Sequence, residues 1–173
     1  MQIVACAFVH NKRNMLCLRR SRKSARQALR LRYTLLLGGH VSHRDGVGEC
    51  PLRRCVAREL NEELGLTLES VPPIVGVIAD PATNVGMHHL AVVFDVSVSW
   101  SEIRFDRSHD RDEFTYSNSS GFHSLKTPED IAQVSGKLDP WSSLFLASDT
   151  GYQVLGNRIH VGTDRQMYFS FGT

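Results

Sequence analysis

The chain has 173 residues, of which 42% are hydrophobic and 22% charged, and a formal net charge of +2. That length suits one domain with a sizeable core, and so small a net charge argues against bulk nucleic-acid binding. No apolar run approaches the roughly 20 residues of a membrane span, and no charged n-region precedes an apolar h-region, so neither a membrane anchor nor a secretory signal is expected.

The first predicted element is a strand over 2–9, QIVACAFV, which is β-branched and apolar. Residues 10–14 read as a turn, and Met15 to Arg19 returns as the second strand of a hairpin. The most basic stretch follows, with Arg19, Arg20, Arg22, Lys23, Arg26, Arg30 and Arg32. Arginines here could flank phosphate oxygens, but most suit a solvated face, and no aromatics interleave them as an RNA-binding arm would require. Tyr33 to Leu37 is an apolar run ending at glycine, so a buried strand is expected there. Gly38-Gly39 would let the backbone turn and approach a ligand. His40 comes next, then a polar loop over 42–48, and Pro51 suits the first turn of a helix.

That helix carries the densest chemistry. Glu59, Glu62 and Glu63 fall within an arc of roughly 100°, while Val56, Leu60 and Leu64 make an adjoining apolar stripe. Gly65 suits the left-handed stop. Three carboxylates so close need compensating charge; Arg58 supplies one, and a hard divalent cation with oxygen ligands would supply more.

Downstream, Ile74 to Ala79 reads as a strand, 80–86 as turn chemistry, and 87–98 as the longest strand, antiparallel to the one before. His88 and His89 are adjacent, so at most one can face a given site. The segment from 101 to 116 holds Glu102, Asp106, Asp110, Asp112 and Glu113. Thr127-Pro128 and Asp139-Pro140 each read as a helix start, the second leading into Trp141, Leu144, Phe145 and Ala147 on an apolar face. Residues 149–173 contain no motif and are left as an unassigned extension of a single domain spanning 1–173. The cysteines Cys6, Cys17, Cys50 and Cys55 form no C-x-x-C pair, so reduced thiols and a cytoplasmic setting are expected.

The stretch from Gly38 to Leu66 resembles the signature of the Nudix hydrolase family, MutT-like in type, G-x5-E-x7-R-E-U-x-E-E-x-G-U with U a bulky aliphatic. Arg58, Glu59, Leu60, Glu62, Glu63, Gly65 and Leu66 match its second half. The first half departs from it: counting back from Arg58, the pattern asks for glutamate where Cys50 stands, and Glu49 is one place early. An expanded loop after the glycine pair accounts for the difference, and a one-place slip would leave Glu49 dispensable.

The resemblance implies an α/β fold, the Nudix α/β/α sandwich with a mixed β-sheet. It implies metal-dependent hydrolysis of a diphosphate linkage in a nucleoside diphosphate derivative, with Mg2+ (or Mn2+) on Glu59, Glu62, Glu63 and the Gly38 carbonyl. Glu59 would orient water or act as base, and Arg58 would hold the glutamates. A later carboxylate would come from Glu113, with Glu102 or Asp112 next, although a solvated acidic loop explains these residues equally well. Arg19 and His40 are candidates for substrate phosphate. The partner is a small-molecule diphosphate, with no membrane or nucleic acid expected and a homodimer left open. Two rivals stand beside this reading. An isopentenyl diphosphate isomerase-like enzyme would need a cysteine on the strand before the glycine pair, and Thr34 to Leu37 has none. A non-catalytic nucleotide-binding module shares the fold, and the complete glutamate set counts against it.

Overall fold

The computed structural model describes residues 1–11, 14–20, 29, 31–46, 50–84, 86–103, 123–125 and 133–148. The expectations placed on Glu49, Asp106, Asp110, Asp112, Glu113, the helix start at Thr127-Pro128, most of the basic stretch and 149–173 lie outside the described residues.

The sheet is mixed and is built around its first strand. Strand β1 (Gln2–Asn11) pairs in parallel with β6 (His89–Ser97) along one edge. Its other edge pairs antiparallel with β4 (Leu36–His40) and, through a hairpin at its end, with β2 (Asn14–Arg19). Beyond these lie β3 (Tyr33–Thr34) and β7 (His123–Leu125) on β2, and β5 (Ile74–Ala79) on β6. Val4 to Val9 are buried without a break. A strand covered on both faces reads as such a run, because neither set of alternate side chains meets water.

The two faces hold two cores. Val4, Cys6 and Phe8 point to one side, where α2 (Pro140–Ala147) brings Leu144, Phe145 and Leu146. The Phe8 and Phe145 rings meet there with centroids 4.8 Å apart. Ala5, Ala7 and Val9 point to the other side, where α1 (Pro51–Leu64) brings Cys55, Val56, Leu60 and Leu64. The small side chains of Ala5 and Ala7 let the helix come close. Pro51 opens α1, and Gly65, at φ 61°, ends it in the left-handed conformation, its N–H donating to the Asn61 carbonyl and the Leu66 N–H to the Leu60 carbonyl. Asp139 caps α2 by accepting from the Ser142 N–H. Sheet and helices thus give the expected α/β/α layers. Among the described residues no helix is long and apolar enough to cross a membrane, and all four cysteines are free.

Three boundaries differ from the sequence expectation. The run 33–37 is two strands rather than one: the Leu35 N–H is taken by the Ser142 hydroxyl of α2 at 2.9 Å. The glycine pair lies inside β4, whose backbone continues on β1 as far as His40. Strand β6 starts at His89 because Gly86–His88 forms a tight turn, with Asp80 binding the Ala82 N–H and the Thr83 hydroxyl just before it. That shortening leaves β1, with 10 residues, as the longest strand.

Where β1 ends, His10 meets Asp95 of β6, with Nε2 2.7 Å from Oδ1. The Asp95 carboxylate raises the His10 pKa above its ordinary value, against the effect of burial. The ion pair therefore contributes its full stability below about pH 6.5 and loses it as pH rises through the elevated folded value. Thermal melts should show wild type more stable than Asp95→Asn at pH 6, by up to about 1 kcal/mol, with the gap closing towards pH 9. A gap independent of pH would exclude a charged His10 in the folded state.

Candidate active site

The glycine pair positions the α1 face. Gly38 has φ 152°, and a Cβ there would run into the Ala5 carbonyl oxygen of β1. A Cβ on Gly39 would run into the Glu59 carboxylate. Glycine at these two places therefore sets how closely β4 lies on β1 and lets Glu59 lie directly on β4. The Gly39 carbonyl accepts from the Cys55 thiol at 3.4 Å. Burial pushes that thiol up to about 12, so it stays protonated and serves as a donor.

Arg58 is the hub of the site. Its Nε donates to Asp45 Oδ1 at 2.9 Å. One terminal nitrogen donates to Glu59 Oε1 at 2.6 Å and to Glu62 Oε2 at 3.3 Å. The other reaches Asp45 Oδ2 at 3.3 Å and the His40 carbonyl at 3.4 Å. Three carboxylates around one guanidinium leave two formal negative charges in the cluster. Those neighbours stabilise the charged guanidinium and raise its pKa. Glu59 is 14% exposed at its side chain and Glu62 is 45% exposed. Burial raises the Glu59 pKa, the charges of Glu62 and Asp45 add to the rise, and its contact with Arg58 opposes it. Glu63 is half-buried on the same helix, four residues after Glu59.

Asp45 was not anticipated from the sequence. It is 2% exposed and closes a short turn, His43–Asp45, in which the Ser42 N–H donates to Asp45 Oδ2 at 2.7 Å and the Ser42 hydroxyl at 3.1 Å. The Arg58 guanidinium, with these two donors, holds its carboxyl down to about 2. A sequence signal was present. Counting forward from Gly39 by the spacing G-x5-E lands on Asp45, whereas counting back from Arg58 lands on Cys50. The insertion lies between Asp45 and Arg58, and Cys50 precedes α1 without a side-chain cap bond.

The other expected residues sort by face. Strand alternation sends Gly39 towards α1 and His40 towards α2. The His40 imidazole accordingly meets His89, with Nε2 atoms 3.0 Å apart, on the side of the sheet away from Glu59. His88 is exposed at the end of its turn. Arg19 closes β2 opposite Tyr33, and Glu102 lies in a short helical turn at Trp100–Glu102.

The donor set Glu59, Glu62 and Glu63 is all carboxylate oxygen, and the cluster carries excess negative charge. Both features fit a hard divalent cation. Among the described residues no three His, Cys, Asp or Glu side chains converge closely enough to hold a metal; Glu59 and Glu62 are both turned to Arg58.

A family profile for the NUDIX domain matches residues 1–141. Solved structures are similar throughout the fold. A MutT NUDIX hydrolase from Burkholderia pseudomallei is 20% identical with a TM-score of 0.56, covering 84% of this chain and 95% of its own. A MutT protein from Methanosarcina mazei Go1 is 22% identical with a TM-score of 0.58, covering 88% and 91%. A NUDIX hydrolase from Nitrosomonas europaea is 13% identical with a TM-score of 0.55, covering 88% of each chain. No curated protein matches the sequence.

The depressed Asp45 carboxyl gives a stability prediction. Its contribution is present above about pH 4, the unfolded value, and is lost as pH falls through about 2. The difference of roughly two pH units is worth on the order of 2 kcal/mol. Asp45→Asn should lower stability by about that amount at pH 7 and should flatten the fall of stability below pH 4. Parallel acid limbs in urea titrations of the two proteins would contradict the Asp45–Arg58 contact.

Proposed function

The chain belongs to the NUDIX family, and from that premise we propose which of its residues carry the reaction. As a Nudix pyrophosphohydrolase it acts on nucleoside diphosphate derivatives as a class. The proposal is that hydrolysis depends on Mg2+ or Mn2+ held by Glu59, Glu62 and Glu63 with the Gly38 carbonyl. What supports it is the excess negative charge of Asp45, Glu59 and Glu62 around Arg58, with Glu63 one helical turn from Glu59. Bound there, a divalent cation would neutralise diphosphate oxygens and make a water more acidic.

The chain's own residues do the rest. Hydrolysis puts a water oxygen on phosphorus, breaks the bridging P–O bond and releases a proton. Glu59, whose carboxylate lies directly on Gly39, would orient the water or accept its proton. The glycine at 39 removes the side chain that would otherwise push Glu59 off the strand. Arg58 acts as a positioning residue: it fixes Glu59 and Glu62 and is itself fixed by Asp45. Glu62, the more exposed and held by the longer 3.3 Å contact, can exchange that contact for a bound cation. Glu113 remains the proposed source of a further carboxylate, and Arg19 of a phosphate contact; His40 is less suited to phosphate, since its ring faces the other side of the sheet. Four free cysteines agree with a reducing cytoplasm as the working compartment.

Phosphate release from nucleoside triphosphates, nucleotide sugars, ADP-ribose and dinucleoside polyphosphates, with and without Mg2+, would identify the substrate and test the metal requirement. On the substrate so found, Glu63→Gln should lower kcat at least about a hundredfold, the scale of losing one strong electrostatic stabiliser. The fold should survive, because the apolar stripe of Val56, Leu60 and Leu64 is untouched. Normal turnover in a folded Glu63→Gln protein, or full wild-type activity after chelation, would overturn the assignment.

A further inference from the structure

His40 ends β4 and His89 begins β6, and β1 runs between them. Val4 pairs with His40 on one edge of β1, and Gln2 pairs with His89 on the other. Both imidazoles leave the sheet on the α2 side, so the two rings close over β1. Their Nε2 atoms are 3.0 Å apart, and the ring planes are inclined at 59°. Trp141 of α2 stands edge-on to His89 at 6.3 Å. Both histidines are partly exposed, so an ion can reach them from solvent.

We propose that His40 and His89 form a two-imidazole site for a borderline divalent transition-metal ion such as Ni2+ or Cu2+, distinct from the oxygen site on α1. The warrant is geometric. Imidazole nitrogen binds such ions at about 2.0–2.1 Å. Half of the 3.0 Å separation, set against about 2.05 Å, gives an N–metal–N angle of about 94°. That is the angle between neighbouring ligands in tetragonal coordination, the geometry of Cu2+ and Ni2+, with water filling the other positions. The strand register fixes both backbones; without metal the two rings share an N–H···N hydrogen bond, and the ion would take the place of its proton, which leaves to solvent. Imidazole suits these ions, whereas carboxylate and carbonyl oxygen suit Mg2+. The two faces of β4 would therefore select different metals. The proposal does not rest on the reading of the glutamates.

The test is calorimetric titration of the full chain with NiCl2 after chelator dialysis, in a large excess of Mg2+. The proteins are wild type, His40→Ala, His89→Ala and Glu62→Gln/Glu63→Gln, each checked by thermal melt. Wild type and the glutamate variant should bind one Ni2+ per chain, and each histidine variant should bind at least tenfold more weakly. Absence of binding in wild type, or unchanged affinity in the histidine variants, would overturn the site. If a histidine variant fails to fold, the electron paramagnetic resonance spectrum of wild type with one equivalent of Cu2+ decides. Hyperfine structure from two ring nitrogens supports the site; structure from one or none refutes it.

Discussion

The arginine of α1 is the constraint on which the site depends. Arg58 binds the turn through Asp45, its own helix through Glu59 and Glu62, and the end of β4 through the His40 carbonyl. A guanidinium suits this task because its donors form a rigid planar fork, which an ammonium cannot copy. Asp45 is buried and doubly hydrogen-bonded by Ser42, so it cannot follow the arginine if the arginine moves. The same contacts that hold the carboxylates near each other also offset part of their repulsion, which is how so acidic a face can exist before any cation arrives.

Packing explains why the face lies where it does. Ala5 and Ala7 give α1 a shallow seat on β1, and Leu60 and Leu64 fill it. With the stripe so anchored, the next residues round the helix face β4, and the strand meets them with glycine. A one-residue slip of β4 that brought His40 to the place of Gly39 would press a side chain into Glu59, because strand side chains alternate. The register that clears room for Glu59 is the one that brings His40 to His89.

Much of this was legible in the chain. The helix showed its apolar stripe, its proline start and its glycine stop, all of which act locally. The hairpin at the N-terminus and the Asp139-Pro140 helix start were legible for the same reason. What escaped depends on distant partners. Leu35 looked like mid-strand, because nothing nearby in sequence announces that Ser142 will take its N–H. Asp45 looked like a loop residue, because an insertion separates it from Arg58 and its burial comes from the fold. His40 and His89 are 49 positions apart, and only the pairing of both strands with β1 brings them together. The glycine pair was expected to turn the backbone towards a ligand; it lies within β4 instead, close against the protein's own carboxylate and backbone.

The central claim is that Asp45 and Arg58 act as one device that positions Glu59 and Glu62. A double-mutant cycle on kcat, using Asp45→Asn, Arg58→Gln and the combination, tests it most directly. The account predicts strong non-additivity: once Arg58 is gone, removing the Asp45 charge should cost almost nothing more, and the double variant should match Arg58→Gln. Losses that multiply independently would show that Asp45 affects turnover by another route, and would contradict the account.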